Sequence, residues 1–134
     1  MARRNYYTGK YKLDKAEYLS AKYYALRYTE WLNEYNGLKD SVGAVAYDGM
    51  PHGTTPGKPT ERLAIRRAEL MKRMELIEQT AIEADADLYQ YILKAVTNED
   101  VTFHNLKLFM DIPCEKDVFY DRRRRFYWLL AQKI

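Results

Sequence analysis

Apolar positions recur at helical rather than strand spacing along most of the chain. Tyr24, Tyr28, Trp31, Tyr35 and Leu38 fall at alternating steps of four and three, which keeps them on one side of a helical rod. Ala16, Leu19, Tyr23 and Leu26 form a second line beside them, so the spacing predicts a helix over about 15–38 with apolar partners on more than one side. Asp14 stands where the N-cap belongs, and Asn36-Gly37 supplies a stop. A second seam, Leu63, Leu70, Met74, Ile77 and Ala81, interrupted by Arg67, predicts another helix from a Thr60 cap to about Asp85. At 1.5 Å per residue each helix is roughly 36 Å long.

Residues 41–59 separate the two, and the five Gly and Pro positions from Gly49 to Gly57 exclude regular structure there. Two long helices joined by one loop fold back as an antiparallel hairpin, which buries too little surface without further partners. Within the loop, Gly53-Thr-Thr-Pro-Gly-Lys-Pro superficially looks like a phosphate-binding loop. The glycine gap is one residue short, Pro59 replaces the required Ser or Thr, and no strand precedes it, so that reading is rejected.

Three shorter helices are predicted downstream, over about 86–97, 101–110 and 114–132. Leu88, Tyr91, Ile92 and Ala95 of the first can meet Val101, Leu106, Phe109 and Met110 of the second. A short apolar helix, the break Asp111-Ile112-Pro113-Cys114 and a longer basic helix give the outline of a helix-turn-helix. On the last helix Phe119, Phe126, Leu130 and Lys133 share the side assigned to the core. Asp117, Tyr120, Asp121, Arg124 and Trp128 lie opposite, flanked by Lys116, Arg123 and Tyr127. A recognition helix presents its N-terminal half to the major groove, where arginine grips guanine edges and lysine and tyrosine serve phosphates. Lys116, Asp117, Tyr120, Arg123, Arg124 and Tyr127 are therefore the candidate DNA-contacting residues. Four consecutive arginines cannot all face one groove: Arg122 points to the core edge, toward an acid, and Arg125 to the far flank. A basic last helix also occurs simply as a solvated surface that complements its own C-terminal dipole.

The predicted fold class is thus all-α, an antiparallel hairpin of two long helices followed by a three-helix helix-turn-helix unit. Its divisions are a basic flexible arm over 1–12, the hairpin over 13–85 and the DNA-binding unit over 86–134. Composition agrees: of 134 residues 47% are hydrophobic and 31% charged, which describes a folded chain of one domain's size rather than a disordered one. A net charge of +3 argues little for nucleic acid, but its distribution argues more. Residues 1–12 hold Arg3, Arg4, Lys10 and Lys12 and no acid, 61–100 are net acidic, and 101–134 are basic again. Arg3, Arg4 and Lys10 are candidates for a backbone-binding arm; the plainer reading is a frayed terminus that aids solubility.

Little else in the chain points to chemistry. The single cysteine, Cys114, excludes an internal disulfide and a cysteine-based zinc cluster. Glu83, Asp85 and Asp87 lack a nearby histidine and are better read as closing one helix and capping the next than as a metal site. Cys114 with His104 has no third orienting group, and Ser20 and Ser41 carry no nucleophile motif. No enzyme activity, metal or cofactor is expected. No apolar run approaches the roughly 20 residues that cross a bilayer, and the N-terminus has no secretory core, so a cytoplasmic location without membrane contact is expected.

The chain as a whole resembles the phage late-transcription regulators of the ArpU/RinA type. The likeness rests on Tyr47-Asp48-Gly49-Met50-Pro51-His52-Gly53, on Met110-Asp111-Ile112-Pro113, on Phe119-Tyr120, and on Arg122 to Phe126 with Leu129-Leu130. That resemblance implies a C-terminal unit similar to the promoter-reading domain of sigma factors. It also implies double-stranded DNA as partner in a bacterial host cell, activation of phage late genes, and host RNA polymerase as a further partner. Two residues depart from the pattern: Asp111 stands where such turns often have glycine, and Cys114 where a serine cap is common. The aromatic surplus on helix 15–38 suggests a homodimer through that helix. Two rivals share the same features, a protein-protein interaction module for a phage or host partner and a DNA-packaging recognition subunit that assembles as a ring.

Overall fold

The computed structural model describes residues 5–7, 9–46 and 58–134. Arg3, Arg4 and the 47–57 part of the expected loop lie outside the described residues. The fold is all-α: α1 (Lys15–Leu26), α2 (Tyr28–Ala46), α3 (Lys58–Ala84), α4 (Tyr89–Val96), α5 (Phe103–Met110) and α6 (Lys116–Lys133). Ahead of them stand two short antiparallel strands, β1 (Asn5–Tyr7) and β2 (Leu13–Asp14), which pair Asn5 with Asp14 and Tyr7 with Leu13. No described helix is long and apolar enough to cross a membrane.

Both strands fall in or beside the segment expected as a flexible arm over 1–12, and the chain turns at Gly9, whose φ of +80° is open to glycine without strain. Tyr11, in the bend between the strands, is buried, as are Leu13 and Asp14 of β2, while Lys10 and Lys12 are exposed. Asp14 then caps α1 in a reciprocal box: its Oδ1 accepts from the Glu17 N–H at 2.8 Å, and its own N–H donates to Glu17 Oε1 at 3.3 Å.

The single helix expected over 15–38 is two. It is interrupted at Arg27, whose N–H donates to Tyr24 O at 3.2 Å, and it resumes at Tyr28 to run through Gly37 to Ala46. Packing explains both differences. α1 lies against α6 whereas α2 lies against α3, so the interruption lets each half keep its own partner. Gly37 costs about 1 kcal/mol relative to alanine inside a helix, but contacts with α3 brace the turn just before it. The Arg66 guanidinium clasps Glu34 at 2.9 and 3.0 Å, and Arg67 reaches the Tyr35 hydroxyl at 3.3 Å. Together with Tyr28 against Glu78 these pairings run in opposite chain directions, so α2 and α3 are antiparallel. α3 begins at Lys58 rather than beyond Thr60; Pro59 fits because a first-turn residue needs no N–H partner.

The seam of α3 is buried as its spacing predicts: Leu70, Ile77 and Ala81 are inaccessible, and Met74 nearly so. They join Trp31, Ile92, Leu106, Phe119, Phe126 and Leu130 in one cluster. On α1 the buried residues are Tyr18, Ala21 and Ala25, not the Ala16, Leu19, Tyr23 and Leu26 line, because α6 approaches from the other side. Among the aromatic residues expected on this helix, Tyr23 is 57% exposed while Trp31 is buried. Tyr24 stacks edge-on against buried Trp31 at 5.0 Å, and Arg67 lies over the Tyr35 ring at 5.1 Å.

Tyr28 carries a testable consequence. Its hydroxyl donates to Glu78 Oε1 at 2.5 Å, and burial first, then that carboxylate, push its pKa up to about 12. A raised folded pKa means the protonated phenol favours the folded state. That contribution is complete below the ordinary tyrosine value near 10 and is lost as pH rises through about 12. The difference in unfolding free energy between the wild type and Tyr28→Phe should shrink across that window, as read by urea titration at successive pH values. A difference that stays constant would show the hydrogen bond to be without weight.

Candidate nucleic-acid interface

The region that presents α6 is built from three local devices. Asp85 ends α3 and starts α4: its Oδ1 accepts from the Asp87 and Leu88 N–H groups at 2.9 and 3.0 Å. Its Oδ2 accepts from Arg122 Nε on α6 at 2.9 Å, so one carboxylate ties three helices together. Arg122 also donates to Asp121 at 2.7 Å, and hydrogen bonding to Asp85 holds its guanidinium in the charged form. Arg122 therefore does face an acid at the core edge.

The second device is the start of α5. Thr102 accepts from the Asn105 N–H at 3.3 Å while its own N–H donates to Asn105 Oδ1 at 3.0 Å, a capping box that the sequence reading did not identify. The third is its end. Asp111 adopts the left-handed conformation with φ 50° and ψ 51°, the one non-glycine residue with positive φ among those described. The chain reverses there, and the Ile112 N–H reaches back to Leu106 O at 3.3 Å while Lys107 Nζ donates to Ile112 O at 3.3 Å. Aspartate stands in for glycine because its short polar side chain tolerates this region.

This reversal corrects the expected packing of α5. Ile112, just after the reversal, is fully buried. Phe109 is instead 76% exposed and Leu108 64% exposed, with Met110 and Val118 exposed nearby in the chain. Cys114 in the turn is half-buried; burial first, and then the Asp85 carboxylate, push its thiol pKa up, so the thiol stays protonated. His104 is exposed on α5.

α6 is seated by Phe119, Phe126 and Leu130, all fully buried, as its periodicity predicts. Tyr127 is also buried, and this overturns its assignment to DNA. Its ring meets Tyr18 of α1 edge-on at 5.2 Å and Phe126 at 5.4 Å. Because α1 covers one flank of α6 and α3 the other, the buried sector is wider than one stripe and includes Tyr127. Lys133, expected in the core, keeps an accessible surface while its ammonium donates to Thr80 at 3.0 Å and Glu83 at 2.8 Å.

The other candidates lie outside that sector. Lys116, Asp117 and Arg124 are exposed, and Tyr120 and Arg123 are half-buried. The Arg123 guanidinium stacks on the Tyr120 ring at 4.6 Å, with Lys116 over the same ring at 6.0 Å. Stacking limits the rotamers of Arg123, which lowers the entropy lost when it meets a planar anion or a base edge. Arg125 is half-buried and its Nε makes no hydrogen bond. Trp128, on the same stripe as Arg124, is partly covered by Tyr11 from the β-hairpin, ring centres 5.7 Å apart. Lys10 is exposed beside it, its Nζ 5.0 Å from the Tyr11 ring.

Of the carboxylates around the α3–α4 junction, Glu83 meets Lys133, and Asp85 meets Arg122 and two backbone N–H groups. Comparison of the chain with protein-family models, with curated proteins and with solved structures finds no match in any of the three.

Proposed function

We propose that this protein is a sequence-specific double-stranded-DNA-binding regulator of transcription, with α5, the Asp111 turn and α6 acting as a helix-turn-helix. The observation that supports it is the outer face of α6. Directly after a left-handed turn, a helix seated by Phe119, Phe126 and Leu130 exposes Lys116, Asp117 and Arg124, with Arg123 held on Tyr120. Arg124 is assigned to a base edge, Arg123 to a base edge or phosphate, Lys116 and Tyr120 to phosphates, and Asp117 to an amino group in the groove. No catalytic step is part of this reading. The resemblance described above extends it to the activation of phage late genes.

A second reading is favoured by the apolar residues that α5 and the start of α6 leave exposed, above all Leu108, Phe109 and Val118. Such residues suit a protein partner, and this reading makes the chain an interaction module.

Binding to pooled genomic fragments at two salt concentrations separates the two. Under the DNA reading the wild type enriches one fragment, salt weakens the binding, and Arg124→Ala lowers affinity for that fragment roughly 5- to 150-fold, the value of a lost bidentate base contact. Phe109→Ser leaves the DNA titration unchanged. Weak, uniform binding that Arg124→Ala does not alter would refute the DNA reading in favour of a protein partner.

A further inference from the structure

We propose that the β-hairpin formed by β1 and β2 is a second DNA contact, gripping the sugar-phosphate backbone of the same duplex that α6 enters. This inference rests on the DNA reading of α6 and adds a surface that the reading does not require.

Four observations carry it. Lys10 and Lys12, in the turn and bend that join the strands, are exposed, while Tyr11 between them is buried. Tyr11 is anchored on Trp128 of α6 with ring centres 5.7 Å apart. Trp128 lies one helical turn beyond Arg124 on the same stripe, so the anchor sets the lysines beside the C-terminal end of the exposed face. Finally, the Lys10 ammonium lies 5.0 Å from the Tyr11 ring. Anchoring Tyr11 thus fixes the backbone that carries the two lysines, which lowers the entropy lost on binding.

The chemistry of the two surfaces differs. Lysine is a compact point charge with no acceptor, suited to a phosphodiester oxygen rather than to distinguishing bases. The hairpin should therefore add affinity and salt dependence without adding specificity, whereas Arg124 adds specificity.

The test uses the full chain as wild type, Lys10→Gln/Lys12→Gln and Arg124→Ala. Each is titrated by fluorescence anisotropy against a duplex cut from the enriched fragment and against an unrelated duplex of equal length, over a series of salt concentrations. The double variant is expected to weaken both duplexes by the same factor and to reduce the slope of log affinity against log salt by about 2, because each lost phosphate contact removes about 0.9. Arg124→Ala is expected to weaken the enriched duplex more than the unrelated one. If the double variant keeps the wild-type slope and affinity on both duplexes while Arg124→Ala still loses specificity, the hairpin proposal is overturned and the reading of α6 stands. If no fragment is enriched, the reading of α6 falls, and the hairpin is judged on the unrelated duplex alone, where an unchanged slope overturns it. Both lysines are exposed, so folding is retained, and a circular dichroism melt matching the wild type verifies it.

Discussion

Phe126→Ala should lower the free energy of unfolding by about 3–5 kcal/mol, the range for truncating a fully buried phenylalanine. Phe126 is inaccessible and sits in the cluster where α3 and α1 meet α6, edge-on to Tyr127 at 5.4 Å. Few neighbours there can collapse inward, since Phe119 and Leu130 on the same side of α6 are themselves held by packing. Against a typical total stability of about 5–15 kcal/mol, that loss leaves a substantial unfolded fraction on mild heating. Urea titration gives the value directly, with Arg124→Ala as the contrasting variant, expected within about 0.5 kcal/mol of wild type because its side chain is exposed. A cost for Phe126→Ala below about 1 kcal/mol would mean that this side of α6 is not buried. The other face of the helix would then be open to question too, because the rotation that hides Phe126 is the rotation that exposes Lys116 and Arg124.

Asp85→Ala has the next largest effect, a destabilisation of about 2–3 kcal/mol. It removes two hydrogen bonds to backbone N–H groups at the entry to α4, together about 1 kcal/mol as for other caps, and one charge-assisted bond to Arg122 worth about 1.5 kcal/mol. Arg122 keeps Asp121 as a partner and is partly exposed, so no isolated buried charge is left and the cost stays below that of a broken interior ion pair. Asp85→Asn is expected to fall between Asp85→Ala and wild type, since an amide oxygen still serves the N–H groups. Chemical denaturation of the three proteins yields the order. Equal stability of Asp85→Asn and Asp85→Ala would place the whole effect on the Arg122 bond and remove the capping role. Under the DNA reading, both variants should also weaken DNA binding mildly, because Asp85 fixes α6 against the α3–α4 junction.

How much of this was legible beforehand can be followed residue by residue. The seam of Leu70, Met74, Ile77 and Ala81, the buried line of Phe119, Phe126 and Leu130, the Asp14 cap and the pairing of Arg122 with an acid were readable because each depends on local spacing or a short-range bond. The left-handed Asp111 falls where the resemblance placed a turn that often has glycine, and aspartate tolerates positive φ there. The pairing of Asn5–Tyr7 with Leu13–Asp14 left no comparable trace, because strands this short show no periodicity and the basic character of the segment obscured them.

Other features depended on which surfaces meet. Tyr127 lies on the edge of the apolar stripe of α6, and only the approach of α1, with Tyr18 against its ring, turns it from a DNA candidate into core. Phe109 has a helical spacing suited to burial, yet it is left in solvent while Ile112, beyond the chain reversal, is fully buried. The interruption at Arg27 exists because α6 and α3 claim different parts of what periodicity reads as one helix. Periodicity determines that a position is apolar and which element it belongs to. Burial is a property of pairs of elements, so the tertiary structure alone decided which apolar residues became core and which cations remained at the surface.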